Sequence, residues 1–271
     1  MTSLIVWTGV DSRAAASIYL ASDGRLSWEN GDTWDFGRKV FASHIHPDIL
    51  GYYGEVLFTS QVLGQILNLI DANSLFKADS SAELKFEAIS TIVKQAHSTY
   101  PQQMRRMFSV IHCSRRGSGM STSFDLFELL WDPVRGWQTK TIPVPRRSGV
   151  AAVYGSGAKS IAESVRRWKV SEVGGTSRSV FSAFCDSLAS GSDRATGGAP
   201  QLAGIYRLGA SRSFGVVSKK HRYLNGLCVD ALPYLGGVEW FNELFERCDW
   251  RTMERLSDAQ PQPRPRDLCH D

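Results

Sequence analysis

The first two residues already carry a chemical possibility. Met1 is followed by the small Thr2, an arrangement from which aminopeptidase trimming would leave threonine as the first residue. A threonine hydroxyl is a poor nucleophile until a base takes its proton, and a free α-amino group on the same residue can be that base. The unperturbed pKa of such an amine, about 7.7–8.0, leaves much of it unprotonated near neutral pH. Other groupings say less. Gly155-Ser156-Gly157-Ala158-Lys159-Ser160 looks like a phosphate loop, but its lysine does not follow a glycine and the four-residue gap is missing. His44 and His46 with Asp48 are metal-ligand types, yet they sit in a loop before Pro47 without a clear third partner, so a surface loop is expected. Cys113 follows His112, but strand neighbours point to opposite faces, so a buried strand thiol is expected. Neither a metal nor a cofactor is expected.

The chain around these residues has ample material for a core: 42% of its 271 residues are hydrophobic and 11% aromatic. Its net charge of +4 is a mild excess. The clusters Arg115-Arg116, Arg146-Arg147 and Lys219-Lys220-His221-Arg222 are separated and read as solvated turns, so no nucleic-acid partner is expected. Five scattered cysteines without a Cys-x-x-Cys pair suit a reducing compartment. No run approaches the 18 or so apolar residues of a membrane span, and no basic-then-apolar leader opens the chain. A soluble, cytoplasmic protein is the expectation.

Residues 3–8 and 17–22 are β-prone runs around a polar turn, which predicts a hairpin beginning almost at the first residue. Strands are expected near 39–42 and 48–53. Helical spacing of Val62, Leu63, Ile66, Leu67 and Ile70 predicts a helix over 60–73, and Leu84 to Ala96 predicts another over 80–100, capped by Ser80 or Ser81 and stopped by Pro101. Strands near 107–113, 124–131 and 137–142 follow, then helices over 158–168 and 177–190. Further strands are expected at 202–207, 213–217 and 223–229, with a last helix over 238–255. There Trp240, Phe241, Phe245 and Trp250 have roughly helical spacing and read as core. Residues 1–257 are expected to form one domain and 258–271, with three of the ten prolines, a disordered tail. Strand runs separated by helix pairs give an α+β layered domain.

Several short stretches resemble the peptidase β subunits of proteasomes and the bacterial HslV peptidase, members of the N-terminal-nucleophile (Ntn) hydrolases. These are Met1-Thr2-Ser3, then Leu20-Ala21-Ser22-Asp23, Gly37-Arg38-Lys39-Val40 and Tyr53-Gly54-Glu55 before the first helix. Asp23 and Lys39 stand sixteen positions apart, the spacing of that family's aspartate and lysine. Downstream, Asp193-Arg194-Ala195-Thr196-Gly197-Gly198 resembles the family's Asp-x-x-Ser-Gly-Gly, with threonine in place of serine. The likeness spans roughly residues 2 to 230.

The resemblance implies a four-layer αββα sandwich of two antiparallel sheets flanked by helix pairs. It implies Thr2 as nucleophile, Lys39 favouring its neutral amine and stabilising negative charge, and Asp23 orienting Lys39. The Gly54 amide would form an oxyanion hole, Asp193 and Thr196 would buttress the N-terminus, and Ser156 would stand near the nucleophile. A peptide or protein substrate, a homo-oligomer and a separate ATP-dependent unfoldase are further implications. Two alternatives stay open on the same fold: a non-catalytic scaffold or partner-binding subunit, and a small-amide acylase.

Overall fold

The computed structural model describes residues 2–265. The chain opens with β1 (Leu4–Val10), β2 (Ala15–Ser22), two short strands β3 (Leu26–Ser27) and β4 (Thr33–Trp34), then β5 (Val40–Ala42) and β6 (Asp48–Gly54). Helices α1 (Leu57–Asp71) and α2 (Ala82–Thr99) come next, then β7 (Phe108–Arg116), β8 (Ser123–Asp132), β9 (Gly136–Ile142) and β10 (Gly149–Tyr154). After α3 (Ala158–Lys169) and α4 (Ser177–Ala189) run β11 (Gln201–Tyr206), β12 (Arg212–Ser218), β13 (His221–Leu224), β14 (Leu227–Cys228), β15 (Trp240–Asn242) and β16 (Arg247–Cys248). The fold is mixed α/β with antiparallel sheets and four α-helices among the described residues.

One sheet runs β10-β1-β2-β11-β12-β13-β14, with β15 added parallel to β12; the other runs β5 to β9 in chain order. Strand β1 lies between β10 and β2, pairing Leu4 with Tyr154 on one side and with Ser22 on the other. Its two faces go to different cores, as a period of two requires. Ile5 and Trp7 join Ile161, Phe181 and Phe184 from α3 and α4. Leu4 and Val6 join Ile49, Ile111 and Leu126 from the second sheet. The far face of that sheet meets Leu63, Ile66, Ile89 and Val93 of α1 and α2. Because both faces are covered, the run Leu4-Ile5-Val6-Trp7 is apolar throughout. Ser81 accepts from Leu84 N and so caps α2.

Trp7 is fully buried, stacks on Tyr19 at 5.1 Å, and donates from Nε1 to Ser177 Oγ at 2.9 Å. Trp7→Ala is expected to cost about 3–5 kcal/mol, readable as a lowered midpoint in urea unfolding.

His97, near the end of α2, is buried among Phe58, Tyr100, Phe108, Trp131 and Trp137. That apolar box, with the Arg105 charge second, lowers its pKa from 6.5 to about 4. The unfolded chain therefore binds the proton more readily. The neutral ring's stability is fully present above pH 6.5 and is lost as pH falls towards 4. Stability should drop in that window by up to about 3 kcal/mol, and His97→Phe should flatten this segment of a pH series of urea melts.

Two expectations are corrected, and one strand appears that the sequence did not announce. Residues 238–255 form no helix but β15, a tight turn and β16. Trp240 and Phe241 go to two separate cores, which is strand behaviour, and the Trp240 ring seats on Gly215, where a Cβ would lie 2.3 Å away. Residues 149–154 form β10, which covers the other edge of β1. The segment expected as a tail is docked through residue 265: Gln262 is buried and bonds Glu246 Oε1 and Ser182 Oγ, while Arg264 pairs with Asp186. Side-chain anchors hold it, with Ala259 and Pro265 also buried. Residues 266–271 lie outside the described part.

Candidate active site

The polar residues singled out near the N-terminus converge where β1 and β2 begin and end. The register Leu4↔Ser22 carries the chain from Ser22 to Asp23 beside Ser3, and the antiparallel pair closes with Asp23 N donating to Ser3 O. Ser3 N in turn donates to Asp23 Oδ1 at 3.0 Å. Lys39 Nζ reaches the same oxygen at 2.7 Å and the Arg25 carbonyl at 2.6 Å. The second carboxylate oxygen accepts from Arg25 N (3.2 Å) and Gly197 N (3.1 Å). Asp23 and Lys39 are both 0% exposed. Burial pushes the Lys39 ammonium down in pKa, against the pull of Asp23.

Thr2 is also fully buried in the full-length chain. The loop between β10 and α3 sits on it: Gly157 N approaches Thr2 O at 3.4 Å. Gly155 has φ +86, and a Cβ there would stand 1.9 Å from Thr2 O. At Gly157 a Cβ would stand 1.8 Å from Ser3 Oγ. The glycines, then, are what the close approach requires. Ser156 between them is exposed, and no hydrogen bond among the described residues ties its side chain to the cluster. Gly155→Ala must displace Thr2. If Thr2 is the nucleophile, turnover should fall on the order of a hundredfold, which a fluorogenic peptide assay would read.

Asp193 and Thr196 lie in the turn before β11. Asp193 Oδ1 accepts from Ala195 N, and its main-chain oxygen accepts from Thr196 N and Oγ1. Asp193 Oδ2 is buried without a hydrogen-bond partner among the described residues. Thr196 is buried, with its methyl near the position a Gly157 Cβ would take. The structure thus gathers Thr2, Asp23, Lys39 and Thr196 around one end of the hairpin.

Gly54 stands apart from the hydrogen bonds of this cluster. It ends β6 with φ +97, and a Cβ would lie 2.4 Å from Met107 O. Backbone packing against β7 accounts for the glycine.

Two residues that the sequence did not single out complete the frame. Gln201 opens β11 and is buried. Its Oε1 accepts from Lys39 N, and its Nε2 donates to Asp23 O and Gly37 O, so one amide fixes the main chain of both partners. Arg25 pairs with Asp35 and donates to the carbonyls of Arg194 and Thr196, tying the 193–198 turn to the ion pair. A glutamine at a strand start and an arginine after Asp-Gly carry no local signal.

Of the metal-ligand types expected in a surface loop, His44 is exposed, but His46 and Asp48 are buried and Asp48 opens β6. His46 bonds Asn73 Oδ1. Asp48 is buried between His112 Nε2 and Lys85 Nζ, each at 2.8 Å, and Cys113 is a buried free thiol, as expected. No helix among the described residues is long and apolar enough to cross a membrane.

No protein-family model matches the sequence, and no curated protein is similar to it. Among solved structures, an Anbu (Gly-1) mutant from Hyphomicrobium sp. strain MC1 aligns at 14% identity with a TM-score of 0.51, covering 79% of this chain and 86% of that one. Anbu, described as an ancestral beta-subunit, from Yersinia bercovieri aligns at 12% identity with a TM-score of 0.50, covering 82% and 86%. HslV from Trypanosoma brucei aligns at 13% identity with a TM-score of 0.46, covering 75% and 99%. At these identities the likeness is one of fold, and the fold is proteasome-like.

Proposed function

We infer that the chain is a threonine-type N-terminal-nucleophile amidohydrolase, a proteasome-like peptidase that uses Thr2 once Met1 is removed. The observation that carries this reading is the fully buried Lys39–Asp23 pair, whose shared oxygen also holds Ser3 N, one residue from the proposed nucleophile. An ion pair taken out of water costs several kcal/mol per ion before its attraction is counted. Chemistry at the adjacent residue is a reason to keep it.

In this reading the Thr2 hydroxyl attacks the peptide carbonyl while its proton passes to the Thr2 amine. The C–N bond then breaks, that proton goes to the leaving amine, and an ester to Thr2 remains. Water enters by the same route in reverse and releases the acid. Lys39 keeps the amine neutral and Asp23 orients Lys39. Asp193, whose buried Oδ2 has no hydrogen-bond partner among the described residues, would accept from the freed N-terminus, and Thr196 would support it. Gly54 and Ser156 stay in the proposal as oxyanion donor and neighbour of the nucleophile. The cores between the two sheets and beneath each helix pair support the αββα layering of one domain, onto which residues 258–265 dock. Peptide substrates, self-assembly, an ATP-dependent unfoldase and a cytoplasmic setting are proposed with it.

The complete burial of Thr2 supports a second reading, a scaffold subunit that never exposes a nucleophile. A peptide boronate or β-lactone separates the two. Labelling at Thr2, located by peptide mapping and absent from Thr2→Ala, supports the enzyme. An unlabelled chain, or labelling at Cys113 or Ser156, contradicts it.

A further inference from the structure

The hairpin of β13 and β14 gathers three different metal-ligand types on one face. Tyr223 pairs with Cys228. Val229 N donates to Arg222 O at 2.8 Å and continues that register, so His221 stands opposite Asp230. Residues two apart share a face of a strand, which puts His221, Tyr223, Cys228 and Asp230 together. Asn225 and Gly226, with φ +51 and +86, fix the turn. Donor atoms of His221, Cys228 and Asp230 all lie within 4.8 Å of one another, with His221 Nδ1 2.6 Å from Asp230 Oδ2. The other carboxylate oxygen is anchored by Arg222 N at 2.8 Å and Arg222 Nε at 3.1 Å, an outer-shell support of the kind that orients metal ligands.

We propose that His221, Cys228 and Asp230 bind one divalent transition-metal ion of the zinc class, leaving a fourth position for water or an external ligand. One nitrogen, one sulfur and one oxygen donor suit such an ion, whereas magnesium and calcium take oxygen ligands. Tetrahedral bonds of about 2.0–2.3 Å set donor separations of roughly 3.3–3.8 Å. The widest pair here needs to close by about 1 Å, within the reach of side-chain rotation on an exposed hairpin. Binding releases the Cys228 thiol proton to solvent. It also replaces the hydrogen bond between Nδ1 and Oδ2, so the imidazole proton resides on Nε2. Lys219, Lys220 and Arg222 make the surroundings basic, so affinity rests on the thiolate and imidazole more than on charge. Tyr223, on the same face, lines a cavity of about 380 Å³ that also borders Arg25 and Thr196. The ion would therefore sit on the hairpin that walls this cavity.

Cobalt(II) titration into the reduced, chelator-treated full-length chain tests the site. The expected result is one equivalent bound with a thiolate-to-cobalt charge-transfer band, competed away by zinc. Cys228→Ser should lose the band and His221→Gln should weaken binding at least tenfold, each with an unchanged circular-dichroism spectrum. Cys269→Ser, which removes a thiol outside the described residues, should keep the band. No band in the wild type, or a band that survives Cys228→Ser, overturns the assignment. If Cys228→Ser alone fails to fold, an unweakened titration of His221→Gln does the same.

Discussion

Lys39→Ala is expected to lose peptide hydrolysis and about 3–5 kcal/mol of stability together, because it strands the Asp23 carboxylate in a fully buried site. A lysine at an exposed strand start would be nearly neutral on substitution. The two losses separate in the double variant Asp23→Asn/Lys39→Met. Removing both charges while keeping an acceptor for Ser3 N should recover much of the stability seen in urea melts, since neutral replacement of a buried pair is often tolerated. Turnover should stay absent, because the ammonium proposed to act on the Thr2 amine is gone. A stable double variant with near-wild-type turnover would remove Lys39 from the mechanism.

Thr2→Ala should abolish acyl-enzyme formation outright, while Thr2→Ser should retain measurable turnover. The hydroxyl is the attacking group and the amine the base, and serine preserves both on one residue. The substitutions also act on packing. Thr2 is fully buried, so Thr2→Ala has a stability cost as well, and urea melts of both variants must accompany the assays. Under the scaffold reading Thr2→Ala changes stability alone, and neither variant differs from wild type in hydrolysis because there is none.

The parts of the fold that could be read from the sequence are those whose faces carry one clear period. Val62, Leu63, Ile66, Leu67 and Ile70 mark α1, and all five are buried. The opening hairpin was equally plain from its apolar runs. Residues 149–154 gave little sign of a strand, since two alanines and a glycine have weak β preference and β10 forms because β1 needs a partner on that edge. The aromatic spacing of Trp240, Phe241, Phe245 and Trp250 misled because a strand followed by a turn with Phe245 at φ +57 can seat the same rings in two cores. At the candidate site, the sixteen-residue spacing of Asp23 and Lys39 pointed to a pair that does form. Gln201 stayed hidden because its role is to hold the main chain of residues 162 and more positions away, at Asp23, Gly37 and Lys39. Nothing local encodes that contact.

The central claim is that Thr2 acts through a free α-amine. Intact mass and N-terminal sequencing of natively produced protein, on the same sample that is assayed for peptide hydrolysis, test it most directly. The account predicts a hydrolytically active chain beginning at Thr2, lighter than the full sequence by one methionine. Met1 fully retained in active material would contradict it.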